Sequence, residues 1–112
     1  MIVSLKGKII SLSTSHLVLD VSGVGYESMI SLGTYDHLII NNDSEVSIQI
    51  YHHITDSSQS LFGFIDNHEK EIFKLLISVS GIGPKTAIQL LSSATASEME
   101  EKIKSGEVSS LT

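Results

Sequence analysis

Apolar and polar positions alternate through the first half of the chain and change period in the second. Val46, Ile48 and Ile50 are interleaved with Ser47, Gln49 and Tyr51, the two-residue period of a strand with one buried face. Val24, Tyr26, Ser28 and Ile30 alternate in the same way with Gly25, Glu27 and Met29. Two more apolar stretches precede them: Ile2, Leu5, Ile9 and Ile10 around Gly7, and the short run Leu17 to Val21. Turn-forming residues fall between, at Ser13-Thr14-Ser15, Ser22-Gly23 and Asn41-Asn42-Asp43-Ser44. The polar segment Thr55 to Gln59 leads into Leu61-Phe62-Gly63-Phe64, so residues 46–64 are expected to form one long hairpin. Short strands at this spacing predict a small closed or nearly closed β-barrel over residues 1–64. Glycines 7, 23, 25 and 63 suit its bends and close crossings.

The period lengthens after Phe64. Asp66-x-x-Glu69 is a capping box, opening a helix with Ile72, Phe73, Leu76 and Ile77 on one face. The segment Ser80-Gly81-Ile82-Gly83 interrupts it, and Pro84 suits the first position of a second helix carrying Ala87, Ile88 and Leu91 inward. Ser97-x-x-Glu100 predicts a third helix, with Met99 and Ile103 facing in and Gly106 as its stop. Strands first and helices afterwards argue against an alternating α/β fold. The expected organisation is a β-barrel over 1–64 and a small helical domain over 65–112.

Composition narrows the chemistry. The chain has 112 residues, 13 acids against 7 basic residues (all lysine), no arginine and no cysteine. Without cysteine there are no disulfides, thiolate nucleophiles or Cys-based zinc sites. Without arginine the usual bidentate reader of guanine is missing, which weighs against base-specific DNA recognition. No apolar run approaches the ~18 residues of a membrane span and no basic-then-apolar leader opens the chain, so a cytoplasmic protein is expected. The charge is segregated. Residues 1–64 hold two lysines against six acids, whereas residues 70–93 hold Lys70, Lys74 and Lys85 against Glu71 alone. Any phosphate-binding surface is therefore expected in the second half.

Gly81-Ile82-Gly83-Pro84-Lys85 is the sharpest motif. Glycines allow a tight turn and let backbone N–H groups approach an anion. The following helix start adds unsatisfied donors and a partial positive charge, and Lys85 adds a full one. Such a site, with Thr86 on the same first turn, contacts phosphate and reads no bases. A bare G-x-G also serves helix–helix turns that merely need glycine; the flanking helices, Pro84 and Lys85 favour phosphate. Other constellations are weaker. His52 and His53 are adjacent in a strand, so they point to opposite faces and cannot share a metal ion. The remaining histidines, 16, 37 and 68, suggest no site, and neither a P-loop nor a placed nucleophile–base arrangement is visible. No catalytic residue, metal or cofactor is expected. Tyr26, Tyr51, Phe62 and Phe64 are candidates for stacking bases, though on alternating strands such residues more often belong to a core or a subunit interface.

The segment Phe73 to Ser93 resembles a helix-hairpin-helix DNA-binding motif. With the opening Met1-Ile-Val-Ser-Leu-Lys-Gly7, Val21-Ser-Gly-Val-Gly-Tyr-Glu27 and Leu61-Phe-Gly-Phe64, the whole chain resembles the RuvA family of Holliday-junction-binding subunits. The resemblance implies an OB-fold barrel, a helical domain with two helix-hairpin-helix motifs, and a homotetramer. Such a tetramer holds four-way junction DNA open in recombination and repair while the RuvB motor ATPase pumps the arms; the subunit itself is not an enzyme. It assigns DNA-phosphate contacts to Gly81, Ile82, Gly83, Lys85 and Thr86. Family members continue with a second hairpin and a motor-docking domain, for which residues up to Leu111-Thr112 provide no counterpart. The family's acidic pin, two neighbouring acids at the hairpin tip, is represented by Asp56 followed by Ser57. Two other readings remain open on the residues: an oligomerising interaction module that has lost DNA binding, and a subunit of a DNA-repair enzyme. The second needs a catalytic Asp or Lys in a pocket, which the sequence does not display.

Overall fold

The structure, a computed structural model, describes residues 1–40 and 45–93. Five strands, β1 (Ser4–Leu12), β2 (His16–Val21), β3 (Val24–Ile30), β4 (Val46–Ile54) and β5 (Gln59–Phe64), close a barrel in the order β1-β2-β3-β5-β4. All neighbours are antiparallel except β3 and β5, whose parallel pairing at Met29↔Phe62 and Ile30↔Gly63 completes the ring. Closure leaves no open sheet edge. The expected barrel and the 46–64 hairpin are both present. Helix α1 (Leu32–Ile40), between β3 and β4, is not anticipated by the alternation of residues and adds Leu38 to the barrel's apolar cluster.

Two apolar clusters share strand β5. Leu17, Leu19, Ile30, Leu38, Ile48 and Ile50 fill the barrel. Phe62 and Phe64 point the other way, into a second cluster with Ile72, Phe73 and Leu76 of α2 (Asn67–Ile77) and Ala87, Ile88 and Leu91 of α3 (Pro84–Ser93). Between the two phenylalanines, Gly63 faces the crowded interior: a Cβ there would stand 2.9 Å from both Ile48 and Ser28 side chains. That is why the Leu-Phe-Gly-Phe run does not alternate with polar residues; β5 is covered on both faces. Gly7 is similarly required, since a Cβ would run into the Asp20 backbone carbonyl, whereas Gly25 has ordinary space around it. Phe73 lies at the centre of the seam, with ring centroids 5.3, 5.2 and 5.0 Å from Tyr51, Phe62 and Phe64. Phe62 and Phe64 are thus core residues with no face left for a base.

Asp66 caps α2 as expected, its carboxylate accepting from the Glu69 N–H at 2.9 Å. The Glu69 side chain reaches across to the start of α1, where Ser31 and Thr34 donate to it. The expected third helix at 97–106 lies outside the described residues.

Candidate nucleic-acid interface

Helix α2 ends at Ser78, whose hydroxyl donates to the Leu75 carbonyl at 2.6 Å. The chain turns through residues 79–83 and re-enters a helix at Pro84. Gly81 takes φ +90°, a backbone conformation that L side chains rarely adopt. Ile82 is buried in the second apolar cluster and its N–H donates to the Val79 carbonyl at 3.1 Å. Ile82 is therefore the anchor of the turn, with neither its side chain nor its N–H open to a ligand. Gly83 has a different basis. It needs no positive φ, and a Cβ there would meet no atom within 4 Å. Among the described residues nothing demands glycine at 83; a side chain would fill only the space over the turn.

The first helix bond at this end runs from the Ala87 N–H to the Gly83 carbonyl at 2.9 Å. Pro84 has no N–H, and the N–H groups of Lys85 and Thr86 belong to the first turn, where a helix offers no backbone acceptor. Those donors, the positive end of α3 and the exposed Lys85 all belong to the first turn of that helix. The lysines differ in freedom. Lys74 pairs with Glu71 at 3.4 Å and Lys70 leans on the Val3 carbonyl, whereas Lys85 has no ion pair among the described residues.

Two clefts of about 460 Å³ meet at Lys85. One lies between the turn and the β4–β5 hairpin, lined by His53, Ser58, Ser60, Phe62 and residues 83–86. The other runs along the barrel past His16, Tyr26, Glu27, His52 and Gln59. The hairpin tip therefore shares a face with the helix-hairpin-helix turn. At that tip Thr55 and Ser58 make the turn's own bonds: Thr55 N–H to Ser58 carbonyl at 2.8 Å, and Ser58 N–H to Thr55 Oγ1 at 3.1 Å. Asp56 is exposed and takes no part in that network.

His52 and His53 do diverge. The His52 Nδ1 accepts the Ile2 N–H at 3.1 Å, which places its ring proton on Nε2 beside Gln59 Oε1, 3.0 Å away. His53 lies on the other face, stacked 6.3 Å from Tyr51. Among the described residues no group of three or more metal-ligating side chains is gathered.

Comparison with known proteins converges on the same parts. The family described as "RuvA N terminal domain" matches residues 1–63, and a "SAM-like Helix-hairpin-helix tandem" matches residues 73–112. The chain belongs to the RuvA family. Its relatives include Holliday junction branch migration complex subunits RuvA from Parabacteroides distasonis, 42% identical over the whole chain and 56% of the relative, and from Orientia tsutsugamushi, 43% identical over 94% of the chain and 51% of the relative. Another, from Syntrophotalea carbinolica, is 38% identical over 95% of the chain and 53% of its own length. The chain spans about half the length of the curated relatives it matches.

Within this RuvA-type barrel, the pattern reading passed over two features: helix α1, and the contact of Glu69 with Ser31 and Thr34. Burial pushes the Glu69 carboxyl above its ordinary range, against the lowering effect of the Thr34 and Ser31 hydrogen bonds. Ser31-x-x-Thr34 was the available sign of a helix start, a hydroxyl cap without the acid that usually completes one.

Proposed function

We propose that the chain binds four-way junction DNA without sequence preference, as the non-catalytic subunit of a branch-migration complex acting in the cytoplasm. The observation that carries this reading is the grouping of free backbone donors and Lys85 on the first turn of α3, on the face shared with the β4–β5 tip. Gly81, Gly83, Lys85 and Thr86 hold a DNA phosphate through N–H groups and one ammonium, with Ile82 pinning the turn from behind. Such contacts recognise backbone, in keeping with a chain that lacks arginine. The space over Gly83 is what lets the phosphate come close.

Self-association fits the same reading. Val3, Ile10 and Val24 expose more than half their surface, apolar area that association would cover. In a four-fold assembly the residue 1–64 barrels surround the crossover and bring four copies of Asp56 near its centre. Junction strands diverge around that acidic cluster, whereas a continuous duplex would press phosphates against it. A RuvB-type motor ATPase is the partner that would drive the arms. Gel shifts comparing a four-way junction, a duplex and a single strand of matched length test the reading. A clear preference for the junction is expected; equal binding to all three, or none, overturns it.

A further inference from the structure

Glu69 lies at the base of the helical hairpin, one α2 length from the phosphate-binding turn. Its carboxylate accepts the Thr34 hydroxyl at 2.9 Å and the Ser31 hydroxyl at 3.2 Å from either oxygen. Ser31 also caps α1: its Oγ accepts the Thr34 N–H at 3.2 Å while its carbonyl accepts the Tyr35 N–H at 3.1 Å. Both hydroxyl residues are fully buried. An acid from α2 therefore occupies the positive end of α1, the place where a local capping acid would otherwise sit. The tail of α3 comes to the same point, where Ser92 Oγ accepts the Leu32 N–H at 3.0 Å. Both helices of the hairpin are thus tied to the start of α1 by directed bonds.

The other contacts between helices and barrel are the aromatic seam around Phe73 and the Lys70 ammonium, which donates to the Val3 carbonyl at 3.4 Å from the end of a flexible side chain. Apolar contact is non-directional and by itself leaves packed faces some freedom to roll. Helix α2 has 11 residues, about 16 Å at 1.5 Å per residue, so a small rotation at its base is magnified at the Gly81–Thr86 turn. We propose that Glu69 is a positioning residue, which fixes the angle of the helical hairpin on the barrel and hence the distance between the phosphate-binding turn and the β4–β5 tip. The consequence for DNA rests on the junction-binding reading above; the geometric claim does not.

The chain has no cysteine, so spin labels can be attached through Ser57→Cys at the hairpin tip and Gln89→Cys on α3. Pulsed electron resonance on doubly labelled chain diluted into excess unlabelled chain, so that assembly adds no distances between copies, then reads the tip-to-helix distance. A single narrow distribution is expected for the parent and for Glu69→Gln, whose amide oxygen still accepts the Thr34 hydroxyl. Glu69→Ala should widen or displace it, and Thr34→Val, which keeps the volume but withdraws the donor, should do so less. Should Glu69→Ala not fold, Thr34→Val decides. A distribution that superimposes on the parent in every folded variant overturns the proposal. A purely structural role would lower the unfolding midpoint and leave the distance untouched. Junction affinity should fall about tenfold in Glu69→Ala, as expected when two linked contacts lose their fixed spacing. A widened distance with unchanged junction affinity would keep Glu69 as the positioning residue and remove only its consequence for DNA. Failure of the junction-binding reading would show separately, as equal or absent binding of junction, duplex and single strand by the parent.

Discussion

The three residues Gly81, Gly83 and Lys85 make separable contributions, because each is required for a different reason. Gly81 is demanded by its backbone, so Gly81→Ala should cost about 1 kcal/mol of stability, the usual penalty for an L residue at positive φ. Gly83 meets nothing, so Gly83→Val should leave the denaturation midpoint nearly unchanged while abolishing most DNA binding. Lys85→Ala should weaken every DNA sequence alike and reduce the slope of log affinity against log salt by about 0.9. Junction affinity unaltered in both Gly83→Val and Lys85→Ala would remove the turn from the interface. Glu69 makes a different demand. Its carboxyl is raised above the ordinary value of 4.5, first by burial and further by the Asp66 carboxylate, against the opposing Thr34, Ser31 and His68. A raised folded value means that the group's contribution is fully present below pH 4.5 and is lost as pH rises through the folded value. Relative to Glu69→Gln, the parent should therefore be more favoured at pH 4 than at pH 7, read as the difference between their urea midpoints. A difference that grows in the opposite direction would contradict the burial assignment.

Strand β5 and helix α1 show what local pattern could and could not convey. The barrel strands were legible because their inward residues repeat every second position, and α2 and α3 because Ile72, Phe73 and Leu76, and Ala87, Ile88 and Leu91, repeat at helical spacing. Helix α1 was not legible. Its cap, Ser31, lacks a nearby acid, and the acid that serves it comes from Glu69, 38 residues away. For the same reason Asp66-x-x-Glu69 read as a local box, when half of it spans two helices. The aromatic residues of 62 and 64 were assignable to a core but not to a particular one, since only the fold reveals that β5 is covered on both faces. Phe73 joins that strand to the helices, and Phe73→Ala should cost about 3–5 kcal/mol, seen as a lower unfolding midpoint by circular dichroism. At the tip of the β4–β5 hairpin, Thr55 and Ser58 already make the turn, and Asp56 takes no part in those bonds. Asp56→Asn should raise duplex affinity more than junction affinity, most clearly at low salt where charge is least screened. Equal shifts would reduce Asp56 to an ordinary turn residue.

The molecule carries a net charge of −6, which opposes indiscriminate attachment to DNA. The proposed junction binding would therefore come from a few well-placed donors acting together, against the excess of acids over lysines in residues 1–64. In the proposed tetramer, four copies around a crossover would supply that combination: each phosphate contact would be weak alone and become effective through linkage to the others. The face that carries Lys85, the two clefts and the hairpin tip is where such an assembly would meet the junction. The most direct measurement is a competition titration. A fluorescently labelled four-way junction is bound by the chain, and unlabelled duplex of the same total length and unrelated sequence is added in excess. The junction is expected to stay bound through excess duplex and to be displaced by unlabelled junction of any sequence. Displacement by duplex as readily as by junction would contradict junction-specific binding.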